Sequence, residues 1–194
     1  MSCRTLFFII ALSYTSDSVH AQLEEEFSDS FIEAQLQKAK AEPKNRIVFE
    51  VKQPIDSVFR ALLSELPNYS DSVARLTFNN SKSLILDEIS LGSRRISVME
   101  NGDLLIQKII EFDPPNSFAY FTEMSASTVS APLNYSIGYY RFTEQADGGT
   151  AVEVSAVWEA SSRLTAFLVR LGFGRAFAND FSEAEKYLNS IEPR

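Results

Sequence analysis

Between residues 93 and 159 the chain is a succession of alternating apolar and polar runs punctuated by turn signals, and this pattern restricts the fold more than any other feature. Ser93 to Glu100 alternates and meets Asn101-Gly102, the residue pair that favours the tight turn of a β-hairpin. Asp103 to Phe112 follows and ends at Asp113-Pro114-Pro115-Asn116. Ser117 to Met124 is the next run, leading into a Ser/Thr/Ala loop through Ala131. Leu133 to Gln145 and Gly149 to Glu159 form a second hairpin around Asp147-Gly148-Gly149. Neighbours joined this locally pair antiparallel, because parallel strands need a crossover of about a dozen residues or more. Arg46 to Lys52 also alternates like a strand, and 82–90 is expected to supply one more. The expectation is an antiparallel sheet of six to seven strands, with Ser70 to Ser83 irregular.

Helical patterns bracket this sheet. Pro54 stands at the preferred first-turn position of a helix over Ile55 to Leu66, with Ile55, Val58, Phe59 and Leu62 on one face, and Pro67-Asn68-Tyr69 ends it. The chain closes with a long helix that Ser161 or Ser162 can cap. Leu164, Phe167, Leu168, Leu171, Ala178, Phe181 and Leu188 are its expected apolar stripe. Gly172 and Gly174 interrupt it at about 1 kcal/mol each, which predicts a kink or a close approach to the sheet. Ahead of the sheet, Leu23, Phe27, Phe31, Ile32 and Leu36 recur at helical spacing over 22–42. Glu24-Glu25-Glu26 at its start and Lys38 and Lys40 near its end follow the helix dipole, and Pro43 stops it. An arm packed on the domain and a helix that binds a protein partner both fit that pattern.

The N-terminus has the layout of a secretory signal: Arg4, the apolar run Leu6 to Leu12, and Val19-His20-Ala21 as an A-x-A-like cleavage site. The run is too short to span a bilayer, which takes about 20 residues, and no later stretch approaches that length. The expectation is a secreted or periplasmic protein, with a signal peptide at 1–21, an amphipathic arm and linker at 22–45, and a folded domain at 46–194. The only cysteine, Cys3, and the only histidine, His20, fall within that signal. The remainder therefore has no Ser-His or Cys-His pair, no His/Cys zinc site and no disulfide. No metal or cofactor is expected. A net charge of −8 repels phosphate backbones and argues against a nucleic-acid partner.

The order of strand, short helix, antiparallel strands and long terminal helix resembles the helix-grip fold of the START-like (SRPBCC) superfamily, in its polyketide cyclase/dehydrase-like branch. The residues that carry the resemblance are Ile47-Val48-Phe49-Glu50-Val51 running into Pro54-Ile55-Asp56-Ser57-Val58-Phe59, the Phe112-Asp113-Pro114-Pro115 turn, and Gly148-Gly149-Thr150 before the last strand. It spans residue 46 to about 190. The resemblance implies an α+β class: a curved antiparallel sheet wrapped around the C-terminal helix, with a largely apolar pocket between them.

Strand alternation then proposes which side chains face that pocket. In the last strand Val152, Val154, Ala156 and Trp158 share the helix-facing side. Tyr140 and Phe142 join them across the hairpin, extending back through Gly138, Ser136 and Asn134, with Phe118 and Tyr120 from the preceding strand and Phe167 and Phe181 from the helix. Arg94 and Arg95 are adjacent and must face opposite ways, as must Lys108 and Glu111 under strict alternation; an inward charge needs a partner. The candidate ligand-binding residues are Arg95, Glu111, Tyr120, Asn134, Tyr140, Trp158, Phe167 and Phe181. The reading preferred on this basis is an exported protein that binds a small hydrophobic molecule, lipid or polyketide-like, without covalent chemistry. Two alternatives stay open: a protein-interaction module using 22–42, and a cyclase or dehydratase-type enzyme using Glu111 with Tyr120, which would need burial to shift their pKa values.

Overall fold

The computed structural model describes residues 27–191, so the expected signal segment and the acidic run Glu24-Glu25-Glu26 lie outside the described residues. Seven strands form one curved antiparallel sheet: β1 (Asn45–Val51), β2 (Val73–Asn79), β3 (Arg94–Met99), β4 (Leu104–Asp113), β5 (Ser117–Thr122), β6 (Leu133–Glu144) and β7 (Thr150–Ala160). Their spatial order is β1-β7-β6-β5-β4-β3-β2, so the first strand crosses over to close against the last. Helices α1 (Asp29–Ala41), α2 (Ile55–Ser64) and α3 (Arg163–Ser190) complete an α+β helix-grip fold.

The seventh strand lies elsewhere than expected. It is β2, inside the stretch read as irregular, while 82–90 is a loop. β2 is an edge strand paired only with β3, and of its residues only Val73 is buried. An edge strand with little burial carries almost no alternation to read. Leu84, Ile85 and Leu86, whose apolar run suggested a strand, are exposed in the loop between β2 and β3.

Helices α2 and α3 share the concave face. There Phe49, Val58, Phe59, Leu62, Phe118, Phe142, Val152 and Val154 make a continuous core with Phe181, Ala184 and Leu188 of α3. Ser162 caps α3: its side chain accepts from Thr165 N–H, and the Thr165 hydroxyl accepts from the Ser162 N–H in return. The helix continues through Gly172 and Gly174, and neither glycine is forced by a close approach. A Cβ on Gly172 would meet nothing, and one on Gly174 would make ordinary contact with Asn45. The stripe turned to the sheet is Val169, Phe181, Ala184 and Leu188, buried, with Phe173 and Phe177 half-buried between them, in place of one through Phe167 and Ala178, which are exposed. Of Leu164, Leu168 and Leu171 only the backbone is described.

Helix α1 lies on the opposite, convex face. Ser28 caps it by accepting from Phe31 N–H, and Ile32, Leu36 and Ala39 are buried against Ala119, Phe121, Tyr135, Ile137 and Val157, with Phe27 and Phe31 stacked at the edge. The arm thus spends its apolar stripe on its own sheet. Among the described residues no helix is long and apolar enough to cross a membrane.

Candidate functional site

Side chains shrink partway along two strands of the concave face, before Trp158 ends the row on β7. At one end β6 presents Tyr140 and Phe142 and β7 presents Val152 and Val154, which pack solidly against α2 and α3. Toward the other end β6 presents Gly138 and Ser136, and β7 presents Ala156. Helix α3 cannot follow that loss of volume, and a cavity of about 270 Å³ opens beneath Phe173, Phe177 and Phe181. Met99, Leu105, Val129 and Leu133 add apolar surface around it.

A polar row crosses the cavity wall. Arg95 on β3 pairs with Gln107 on β4, Gln107 with Thr122 on β5, and Thr122 with Ser136 on β6. Each is a cross-strand neighbour of the next, so the four side chains lie side by side. The Arg95 Nε and Nη2 groups both donate to Gln107 Oε1, at 3.0 and 2.7 Å. Gln107 Nε2 donates to Thr122 Oγ1 at 3.4 Å, and Ser136 Oγ donates to the same oxygen at 2.9 Å. Arg95 is 3 % exposed. Its Nη1 reaches the Leu63 carbonyl at the C-terminal end of α2, at 3.4 Å, and its guanidinium lies 4.2 Å from the centre of the Tyr120 ring. Burial works against its charge; the hydroxyls of Tyr120, Tyr140 and Tyr69 act the other way, and its pKa lies above the ordinary guanidinium value.

The tyrosines lock together over this row. The Tyr120 and Tyr140 hydroxyls share a hydrogen bond of 2.6 Å. Gly138 makes that possible, because a Cβ there would come within 3.1 Å of the Tyr120 ring. Desolvation pushes the Tyr140 hydroxyl well above its usual range, and Tyr69, which donates to the Leu62 carbonyl, is raised for the same reason. At the rim on α3, partial desolvation raises the Asp180 carboxyl.

Of the eight side chains proposed from sequence, Arg95, Tyr120, Tyr140 and Phe181 line the cavity. The other four do not. Glu111 is on the convex face, where it pairs with Lys40 of α1 at 2.5 Å and accepts from Ser117. A β-bulge between Ile109 and Glu111 is the cause: Ile110 and Glu111 both turn outward, so Glu111 joins Lys108 on the face it should have opposed. Asn134 is displaced by a second bulge, between Leu133 and Tyr135; Leu133 lines the cavity and Asn134 donates to Glu159 instead. Trp158 does face α3, yet its indole N–H donates to Asn45 Oδ1, Lys44 sits over its ring and Phe173 packs beside it, so its polar end is satisfied within the chain. Phe167 is 67 % exposed, on a side of α3 turned away from the sheet. Among the wall residues missed were Gln107, Thr122, Phe173 and Phe177. Gln107 and Thr122 were legible only as polar residues on inward registers, and the two phenylalanines needed the true phase of α3.

Neither a protein-family model nor a curated protein sequence matches the chain. Solved structures do. XoxI from Bacillus cereus aligns with a TM-score of 0.59 at 11% identity, over 77% of this chain and 98% of that one. Ara h 8.0201 aligns with a TM-score of 0.55 at 16% identity, over 76% and 100%. DynU16, from the dynemicin biosynthetic locus, aligns with a TM-score of 0.54 at 13% identity, over 77% of this chain and 48% of that one. Together they share the helix-grip fold of this chain, a curved antiparallel sheet with a long C-terminal helix.

Proposed function

We propose that the protein is an exported binding protein for a small, largely apolar molecule held without covalent chemistry between the sheet and α3. The observation that carries this reading is the cavity itself: about 270 Å³ under α3, opened where Ser136, Gly138 and Ala156 replace bulky side chains and walled by Phe173, Phe177 and Phe181. Concave, mostly apolar space with a few convergent polar groups is the ordinary form of a small-molecule site. Export rests on the Arg4, Leu6–Leu12 and Val19-His20-Ala21 pattern. The enzyme alternative loses its named acid–base pair, since Glu111 and Tyr120 stand on opposite faces of the sheet. The arm is engaged on its own domain over Asp29–Ala41, which leaves the interaction-module alternative without its expected free surface.

Native mass spectrometry of the protein recovered from an exporting host tests both parts. The expected result is a chain beginning near Gln22 with a reproducible extra mass that solvent extraction removes. A full-length chain overturns export. An apo chain that also fails to bind an apolar probe overturns the binding reading.

A further inference from the structure

We infer that the bound molecule carries an acidic head group, a carboxylate or an equivalent anion, seated on Arg95, with its apolar body beneath α3. This rests on the binding reading above and adds the chemical class of the ligand.

The argument begins from charge. Arg95 is buried, it lines the cavity, and among the described residues no carboxylate lies within ion-pair distance of it. Its neighbours Arg94 and Lys108 are handled differently: Arg94 grips Glu123 through two hydrogen bonds and Lys108 pairs with Asp29. A buried cation costs several kcal/mol in lost hydration unless an opposite charge and hydrogen bonds replace the water. What replaces it here is partial: the Gln107 amide oxygen, the Leu63 carbonyl at the negative end of α2, and the Tyr120 ring face. Each of the three guanidinium nitrogens donates to one of these neutral acceptors, and the Tyr120 hydroxyl is a further hydrogen-bond partner, so the hydrogen-bonding is largely met while the charge is not.

The hydrogen-bond sense of the row points the same way. Gln107 turns its oxygen to Arg95 and its amide nitrogen to Thr122. Thr122 Oγ1 already accepts from Gln107 and Ser136, so its own hydrogen is left to donate. In the Tyr120–Tyr140 pair one hydroxyl donates to the other, and the acceptor's hydrogen is likewise available. The polar end of the cavity therefore presents donors around one fixed positive charge. An anion with two or three acceptor lone pairs matches that set, and an apolar tail matches the rest of the wall. Among the described residues the one carboxylate lining the cavity, Asp180, stands at the exposed rim and does not pair with Arg95.

The test uses the mature protein, with N-phenyl-1-naphthylamine as a neutral fluorescent reporter of the cavity. Decanoate and 1-decanol, matched in chain length, compete against it at pH 7.5. The expected result is reporter binding, with decanoate displacing it at a concentration at least tenfold below that of decanol. Arg95→Met should retain the reporter and lose the decanoate preference, while Arg95→Lys should keep most of it. If Arg95 serves only to cap α2, the two competitors are equipotent in the wild type, which overturns the anion inference and leaves the binding reading standing. Because that comparison needs no variant, it holds even if Arg95→Met does not fold. If the reporter and decanoate both fail to bind, the cavity reading falls and this inference with it.

Discussion

The two faces of the sheet are built from similar materials and finished differently. Both are aromatic, with Phe118, Tyr140 and Phe142 on the concave side and Phe121 and Tyr135 on the convex side. On the convex face α1 meets the sheet's polar groups with its own, Tyr135 donating to Gln35, Glu111 meeting Lys40 and Lys108 meeting Asp29, while a cleft of about 390 Å³ opens between α1 and the 82–92 loop. On the concave face α3 spans a dip in side-chain volume, and the space there stays open around an arginine that pairs with no carboxylate among the described residues. Aromatic content by itself does not mark a binding site. Open volume is present on both faces, and the difference lies in whether a charge on the sheet is met by a carboxylate of the chain itself.

Breaking the filled half of the concave face should have the largest effect. Phe118 is fully buried among Phe59, Tyr140 and Phe142, and Phe118→Ala should lower the unfolding free energy by about 3–5 kcal/mol in urea titrations. On the convex face Leu36→Ala should cost about 2–4 kcal/mol by the same measurement, since Leu36 is 2 % exposed. It should leave reporter binding by the folded protein unchanged, which a shared role for the two faces would contradict.

Alkaline titration probes the concave face by a different route, although desolvation also raises Tyr135 and Tyr139 on the convex face. Tyr69 and Tyr140 have folded pKa values raised by burial above the ordinary 10. Their contribution to stability is complete below about pH 10 and is lost as pH rises from there toward the folded values, because the unfolded chain ionises first. Tyrosinate absorbance should therefore show these two groups ionising only with unfolding, and urea midpoints should fall steadily above pH 10.

A smaller change should follow from Gly138→Ala, whose Cβ would press on the Tyr120 ring at 3.1 Å. Stability should drop by about 1 kcal/mol, and the reporter's affinity should shift as Tyr120 moves off Tyr140. Least affected is Glu111→Gln. The lost pair with Lys40 is partly solvated and worth at most about 1 kcal/mol, and ligand affinity should stay at the wild-type value. A loss of binding there would restore Glu111 to the site.

The split between what could and could not be read follows strand geometry. Arg95, Tyr120 and Tyr140 were legible because their strands keep a strict period of two through those positions. Glu111 and Asn134 were misplaced because a single extra residue in β4 and in β6 reverses every facing beyond it. A bulge leaves no mark in composition that distinguishes it from regular strand. Phe167 was misplaced for the helical counterpart of this reason: α3 is apolar on more than one side, and only contact with the sheet selects its buried stripe.

Local chemistry in the sequence determined the hairpin at Asn101-Gly102, the breaks at Pro43 and Pro54, the serine cap of α3 and hence an antiparallel sheet flanked by helices, since each of these depends on residues a few positions apart. Tertiary structure alone decided that α1 covers the convex face, that Gln107 and Thr122 connect Arg95 to Ser136, and that a cavity remains under α3. Those outcomes depend on how volumes and charges from distant segments meet across the sheet, and no spacing along the chain encodes them.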